Sequence, residues 1–245
     1  PNVGPQTDFL AASEREVLYG GSAGGGKSYA MLADPLRYMG NPSFSGLLLR
    51  HTTEELRELI TKSQEMYPKI WPGIKWSERK MQWTAPSGAT LWLSYLDKDQ
   101  DVTRYQGLAF SWIGFDELTQ WSTPFAWNYM RSRLRSADPE LPLCMRATTN
   151  PGGRGHHWVK KMFIDPAPAG KSYIATDIDT GEQLKYPAGH EKAGRPLFKR
   201  RFIPARLKDN PYLAQQGDYE AMLLSLPEQQ RRQLLDGDWD IKEGA

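Results

Sequence analysis

Residues 20–28 read GGSAGGGKS, directly after the apolar run VLY at 17–19. Gly21, Gly26, Lys27 and Ser28 satisfy the spacing G-x-x-x-x-G-K-[ST]. REVLYGG reads as a short buried strand and KSYAMLADPLRYM as a helix, so the spacing lies where a strand turns into a helix. The chemistry explains the pattern. Glycines let successive backbone N–H groups turn toward phosphate oxygens with no Cβ in the way. The start of the helix adds a favourable dipole, and a lysine at the end of the loop reaches the β- and γ-phosphates. The expected nucleotide contacts are Gly21, Ser22, Ala23, Gly24, Gly25, Gly26, Lys27, Ser28 and Tyr29, with Ser28 also a ligand of Mg²⁺. A flexible glycine turn ending in a surface lysine is the bland alternative, and it leaves the flanking strand and helix unexplained.

Such a loop needs an acidic residue at the end of another buried strand, and WIGFDE at 112–117 supplies it. Asp116 is expected to hold the metal, and Glu117 to polarise a water for in-line attack on the γ-phosphate. A glutamate directly after the aspartate favours hydrolysis over transfer to a metabolite. Thr148, Thr149 and Asn150 close the following strand, where a polar group can sense the γ-phosphate; by themselves they are ordinary polar strand-end residues.

The rest of the chain fits this frame. SGLLLRHT reads as a second buried strand and TTEELRELITKSQEMY as a helix with an acidic first turn. KMQWTAPSGATLWLSYL reads as a hairpin, TPFAWNYMRSRLRS as a basic helix, and PLCMRATTNPGG as a further strand. Alternating short apolar strands and helices indicate a mostly parallel sheet with helices on both faces. Beyond residue 151 a hairpin around 179–181, the basic strand PLFKRRFIPARL and several short helices are expected. The chain has 245 residues, 39% of them hydrophobic and 24% charged, ordinary values for a soluble globular protein. No segment approaches the ~20 apolar residues of a membrane span, and no signal peptide opens the chain. A single cysteine, Cys144, excludes an internal disulfide and suits a reducing compartment. The net charge of +2 does not by itself imply nucleic acid. Residues 195–208 hold six basic side chains, Arg195, Lys199, Arg200, Arg201, Arg206 and Lys208, and no acidic one, and are a candidate for phosphate-backbone contact. Starting at Pro1 and ending on IKEGA, the chain is expected to be part of a longer one.

Taken together, GGSAGGGKS, LLLRHT, TRYQGLAFSWIGFDELTQW, SRLR, ATTNPGGRGHHWVK and the ending DNPYL…LLDGDWDIKEGA resemble a known family. In this order, over nearly the whole chain, they are similar to the ATPase domain of the large terminase subunit, the DNA-packaging motor of tailed bacteriophages. The resemblance implies an α/β P-loop NTPase fold of the additional-strand, catalytic-glutamate type, with a mostly parallel sheet flanked by helices. Residues 1–205 would be the ATPase core, and 206–245 a small C-terminal lid subdomain and the start of a linker. It also implies a nuclease domain after that linker, so no nuclease activity is expected of these residues. ATP and Mg²⁺ are the implied ligands, and hydrolysis would drive double-stranded DNA into a procapsid in the host cytoplasm. The implied partners are the DNA, a portal protein, a small terminase subunit and further copies in a ring, with the isolated chain monomeric or weakly associated. Gln6 falls where the family reads the adenine edge, and Thr148–Asn150 match its coupling motif.

The chain departs from many relatives at Ala23, where they carry a loop arginine. Charge developing on the γ-phosphate still requires a cation, so the resemblance points to a neighbour in the ring. Arg104 matches a position for such a trans-acting finger, with Arg131, Arg133 and Arg135 as fallbacks and a solvated helix-face arginine as the bland reading of each. Two other functions share these features. A helicase or other nucleic-acid translocase predicts strand separation and usually a second ATPase-like domain, for which the chain has no room. A nucleotide-binding assembly module would turn over little ATP alone.

Overall fold

The structure, a computed structural model, describes residues 1–215 and 217–241. Its contacts divide the chain into two compact units, each built of strands covered by helices. The expected fold class is observed: the strands pair mostly in parallel and helices flank them.

One unit comprises Ser28–Glu117 and Pro124–Ala147. It begins within α2 (Lys27–Ala33), which tightens into a 3-10 turn over Asp34–Tyr38. Strand β2 (Ser45–Arg50) then pairs in parallel with β5 (Thr90–Tyr95) and β6 (Trp112–Phe115), opposing Leu48 to Leu93 and Gly114. Strand β6 in turn lies parallel to β7 (Cys144–Thr149), with Ile113 opposite Met145. Burial on both faces explains the uninterrupted apolar run LLL of β2. The anticipated hairpin is present as β4 (Gln82–Thr84) antiparallel to β5, extended by the short β3 (Lys75–Ser77). Helix α3 (Thr53–Ile70) starts where the sequence placed it, because Thr52 and Glu55 form a reciprocal capping box. Its buried face, Leu56, Leu59, Ile60, Met66 and Tyr67, joins Leu48, Leu91, Leu93, Trp83 and Trp112 in the core. The Tyr67 hydroxyl donates to the Leu32 carbonyl at 2.8 Å, and the Trp83 indole to Ser63 Oγ at 2.9 Å, so these two buried polar groups are satisfied.

The helix read over TPFAWNYMRSRLRS is shorter than expected. Helix α4 spans Phe125–Arg131, and Leu134 beyond it is extended beside Phe110. Bonds from Phe110 N to Arg133 O (3.0 Å) and from Arg135 N to Phe110 O (2.9 Å) hold this backbone. No helix breaker stands at this point of the sequence; tertiary pairing overrides helix propensity.

The other unit comprises Pro1–Lys27, Leu118–Thr123 and the described residues from Thr148 onward. Helix α1 (Pro5–Ala11), which the sequence reading did not anticipate, lays Phe9 against Tyr19 with ring centroids 5.3 Å apart. Strand β1 (Glu16–Gly21) runs parallel to β9 (Lys199–Ala205), and the short β8 (Ser172–Ile174) pairs antiparallel with β9. The turn after residue 176 is the expected hairpin, closed by bonds from Asp177 N to Glu182 O and from Leu184 N to Ala175 O. Helix α5 (His156–Val159) follows the turn that leaves β7. The residues read as a lid supply α6 (Pro211–Ala214), α7 (Asp218–Leu224) and α8 (Glu228–Arg231); Gln216 and 242–245 of that reading lie outside the described residues. Among the described residues no helix is long and apolar enough to cross a membrane.

Candidate functional site

The glycine loop leaves β1 at Gly21, whose φ of 140° is one glycine adopts readily. A Cβ there would come within 2.2 Å of the Ala205 carbonyl oxygen, so close packing against β9 demands glycine as firmly as the backbone does. Gly24 and Gly26 turn through φ 76° and 73°. The space beside Gly24 is taken by Leu207, Leu213 and Tyr219, and that beside Gly26 by the Gln6 amide. The loop is fastened from several sides. The Tyr19 hydroxyl donates to Gly25 O at 2.8 Å and Asn210 Nδ2 to Gly24 O at 2.7 Å. Gln6 donates through Nε2 to Gly26 O at 3.0 Å while accepting from Asn2 N. Burial, with Asp209 nearby, pushes the Tyr19 phenol up, so it stays protonated and donates.

Lys27 is buried, and its ammonium donates to Ser22 O and to Asn150 Oδ1, both at 2.7 Å. The lysine therefore curls back along its own loop, with the cation at the loop's mouth rather than in solvent. Ala23, Gly24, Gly26 and Ser28 are partly exposed and Tyr29 half exposed, so this mouth is open. Backbone amides and a buried ammonium form a donor set suited to an anion.

Asn150 is thereby joined to the loop across 123 residues of sequence. Thr148 and Thr149 before it are fully buried. Thr149 Oγ1 meets Thr119 Oγ1 at 2.7 Å and accepts from Thr119 N at 3.2 Å. After the turn, His156 Nδ1 accepts from Gly152 N at 2.8 Å, and the His156 ring stacks on Trp239 with centroids 5.4 Å apart. Thr119 and His156 were not singled out in the sequence. The segments ELTQ and GGRGHH contained them, but nothing local marks which hydroxyl or imidazole turns inward.

In the other unit, Asp116 at the end of β6 is fully buried, with its backbone N–H on Leu49 O. Arg50, the last residue of β2, places Nη2 2.8 Å from Asp116 Oδ2, and both side chains are less than a tenth exposed. Sequence reasoning missed Arg50; the available signal was a cation ending a strand otherwise buried on both faces. Glu117 has φ 63°, in the left-handed region that costs a non-glycine residue energy, and is partly exposed. Such strain is characteristic of functional positions.

Arg104 lies in the 3-10 segment Asp99–Tyr105, bonded to Asp101 at 2.9 Å and resting 4.9 Å above the Tyr95 ring, with its side chain 42% exposed. Arg131 ends α4, but Arg133 and Arg135 lie beyond the helix, a correction to their expected placement. Arg133 caps the Tyr129 ring, and Arg135 donates to Gly107 O at 3.1 Å. The basic cluster of the other unit also needs a correction. Arg200 is 1% exposed, bonded to Glu16 at 2.6 Å and to Thr176 O at 2.7 Å, so it is a core ion pair unable to touch a phosphate backbone. Arg195, Lys199, Arg206 and Lys208 are exposed.

The C-terminal helices reach the glycine loop within their own unit. Ala23 N donates to Leu234 O at 2.6 Å, and a Cβ on Gly237 would come within 2.7 Å of Ser22 N.

A family model described as "Terminase large subunit, T4likevirus-type, N-terminal" matches residues 18–245. Among solved structures, the large terminase of a thermophilic bacteriophage in complex with ADP is similar, with a TM-score of 0.68 at 17% identity over 98% of this chain and 54% of its own. The same terminase with ATP-γ-S gives 0.66 at 17% identity, over 98% and 53%. The large terminase ATPase domain of Thermus phage P74-26 gives 0.57 at 12% identity, over 98% and 94%. The chain thus spans about half the length of the ADP-bound terminase. At these identities the likeness concerns the fold. No curated protein matches the sequence.

Proposed function

The chain belongs to the family of T4-like-virus-type terminase large subunits, and from that membership we propose that it hydrolyses ATP to drive double-stranded viral DNA into a procapsid. The observation that carries this reading is the phosphate loop, whose buried lysine is bonded to Asn150 of the segment read as a coupling motif. The thermophilic phage terminase, described in complex with ADP and with ATP-γ-S, supports the choice of nucleotide.

In this reading the amides of Gly21–Tyr29 and the Lys27 ammonium bind the phosphates, and Gln6 recognises the adenine. Ser28 and Asp116, a hydroxyl and a carboxylate, suit Mg²⁺ as hard oxygen donors. When bound, the ion supplies charge neutralisation at the β- and γ-phosphate oxygens. Arg50 neutralises Asp116 in the ligand-free protein and holds its carboxylate in one orientation. Glu117 accepts a proton from the attacking water as its oxygen bonds to the γ-phosphorus and ADP leaves. Arg104 of a neighbouring copy is the proposed cation for the transition state, with Arg131, Arg133 and Arg135 as alternatives. Thr148, Thr149 and Asn150 transmit the loss of the γ-phosphate to the chain that follows them. DNA, a portal protein, a small terminase subunit and a ring of copies in the host cytoplasm complete the proposal. The deciding experiment is ATP turnover and binding by Glu117→Gln. Retained ATP with hydrolysis abolished is expected, because the amide keeps shape and removes the base; wild-type turnover would refute the assignment.

A further inference from the structure

We propose that Asp34 is a positioning residue for hydrolysis, a role that rests on the ATPase reading above. Its carboxylate holds in one register the helix that follows the phosphate loop and the strand that ends in Asp116 and Glu117. Asp34 is fully buried, one residue past α2. Oδ2 accepts from the Trp112 indole at 2.7 Å and lies 3.4 Å from Arg146 Nε; Oδ1 accepts from Arg37 at 2.5 Å. Trp112 stands on β6 four residues before Asp116, on the same face of the strand, and Arg146 stands on β7 two residues before Thr148. One carboxylate therefore grips three elements, each continuous with a stretch assigned to the chemistry.

Two arguments make this more than a satisfied core charge. Leu36, two residues on, and Trp112, the hydrogen-bond partner, both belong to the buried apolar core, so the buried Asp34 and Arg146 charges adjoin it. Replacing a buried ion network by well-packed apolar side chains is often neutral or stabilising, so stability alone does not explain charges here. Direction does, because a hydrogen-bonded carboxylate fixes angles that dispersion contacts leave soft. The Trp112 ring is also fixed in place. It lies across its own strand so closely that a Cβ on Gly114 would come within 2.4 Å of it. The indole N–H can then point one way, and that way is Asp34.

The test compares Asp34→Asn with Leu91→Ala, a cavity variant in the same core, at matched loss of thermal stability. Steady-state ATP hydrolysis and amide hydrogen exchange of the ligand-free protein are the readouts. Asp34→Asn is expected to lower kcat about 10–100-fold, the scale of a small misplacement of reacting groups, with KM for ATP changed less than about threefold. Exchange should quicken selectively in β6 and β7. Leu91→Ala should leave kcat within about twofold. Equal kcat in the two variants, or uniform quickening of exchange, overturns the proposal. Should Asp34→Asn fail to fold, Trp112→Phe removes one of the hydrogen bonds and leaves the charges paired; an unchanged kcat there overturns it equally. If the wild-type protein hydrolyses no ATP, the functional reading falls, while the exchange pattern still decides whether Asp34 sets the register.

Discussion

At the scale of single residues, the site is held by side-chain bonds that leave no mark in the sequence. Tyr19 reads as one apolar residue of a buried strand, yet its hydroxyl fixes the Gly25 peptide. Tyr19→Phe removes only that bond, so it should cost about 0.5–1.5 kcal/mol of stability, measured by denaturant unfolding. Nucleotide affinity, read by titration with a fluorescent ATP analogue, should weaken about three- to tenfold as the loop loosens. Lys27→Ala should abolish detectable binding of the same analogue; undiminished binding would remove the lysine from the site. Glu117 offers the opposite trade. Its left-handed φ is strained for glutamate and easy for glycine, so Glu117→Gly should gain about 1 kcal/mol of stability in thermal melts while ATP turnover disappears. The sequence announced Lys27 and Glu117 because loop spacing and paired acids are local patterns. Arg50, Thr119 and His156 carried no such pattern: Arg50 and Thr119 find their partners at the ends of other strands, and His156 in the turn before it and in Trp239.

At the scale of elements, β1 and β9 show how a basic stretch became core. Glu16 and Arg200 are opposed in register and bonded at 2.6 Å with both side chains buried. Breaking a buried pair strands one charge in a low-dielectric interior, so Arg200→Leu should destabilise by about 3–5 kcal/mol, and Glu16→Met together with Arg200→Leu should recover most of that. Chemical denaturation of the two variants checks both values; no recovery in the double variant would point to packing rather than charge. The alternation of KRRF along β9 left this open, because a buried arginine and a DNA-facing one look alike until the partner strand is known. Helix α3 runs on through Pro68 to Ile70, but it was legible from its start to Tyr67, its acidic first turn and apolar stripe both local. Helix α4 was not, because its C-terminal end is decided by the pairing of Leu134 with Phe110.

At the scale of the whole molecule, the proposed motor should behave as an assembly. If a neighbour's arginine completes catalysis, the ATPase rate per chain should rise with protein concentration, and Arg104→Ala should flatten that rise without weakening ATP binding. A rate per chain constant over the range argues against a trans-acting cation. DNA affinity should fall steeply with salt. Replacing Arg206 or Lys208 should each reduce the logarithmic salt slope by about one if those side chains touch phosphate. The amino-acid sequence by itself determined the glycine loop, the acidic strand end, the α/β class and the family, because each rests on spacing along one stretch of chain or on the order of such stretches. Only the tertiary structure decided which charges face inward. Arg200 belongs to Glu16, Arg50 to Asp116, and Asp34 to Trp112 and Arg146, for burial and hydrogen-bond direction are set by strands and helices far apart in the chain. Ala23 shows the division most plainly. Its missing charge is visible in the sequence, whereas its backbone N–H on the Leu234 carbonyl exists only once the C-terminal helices have folded back onto the loop.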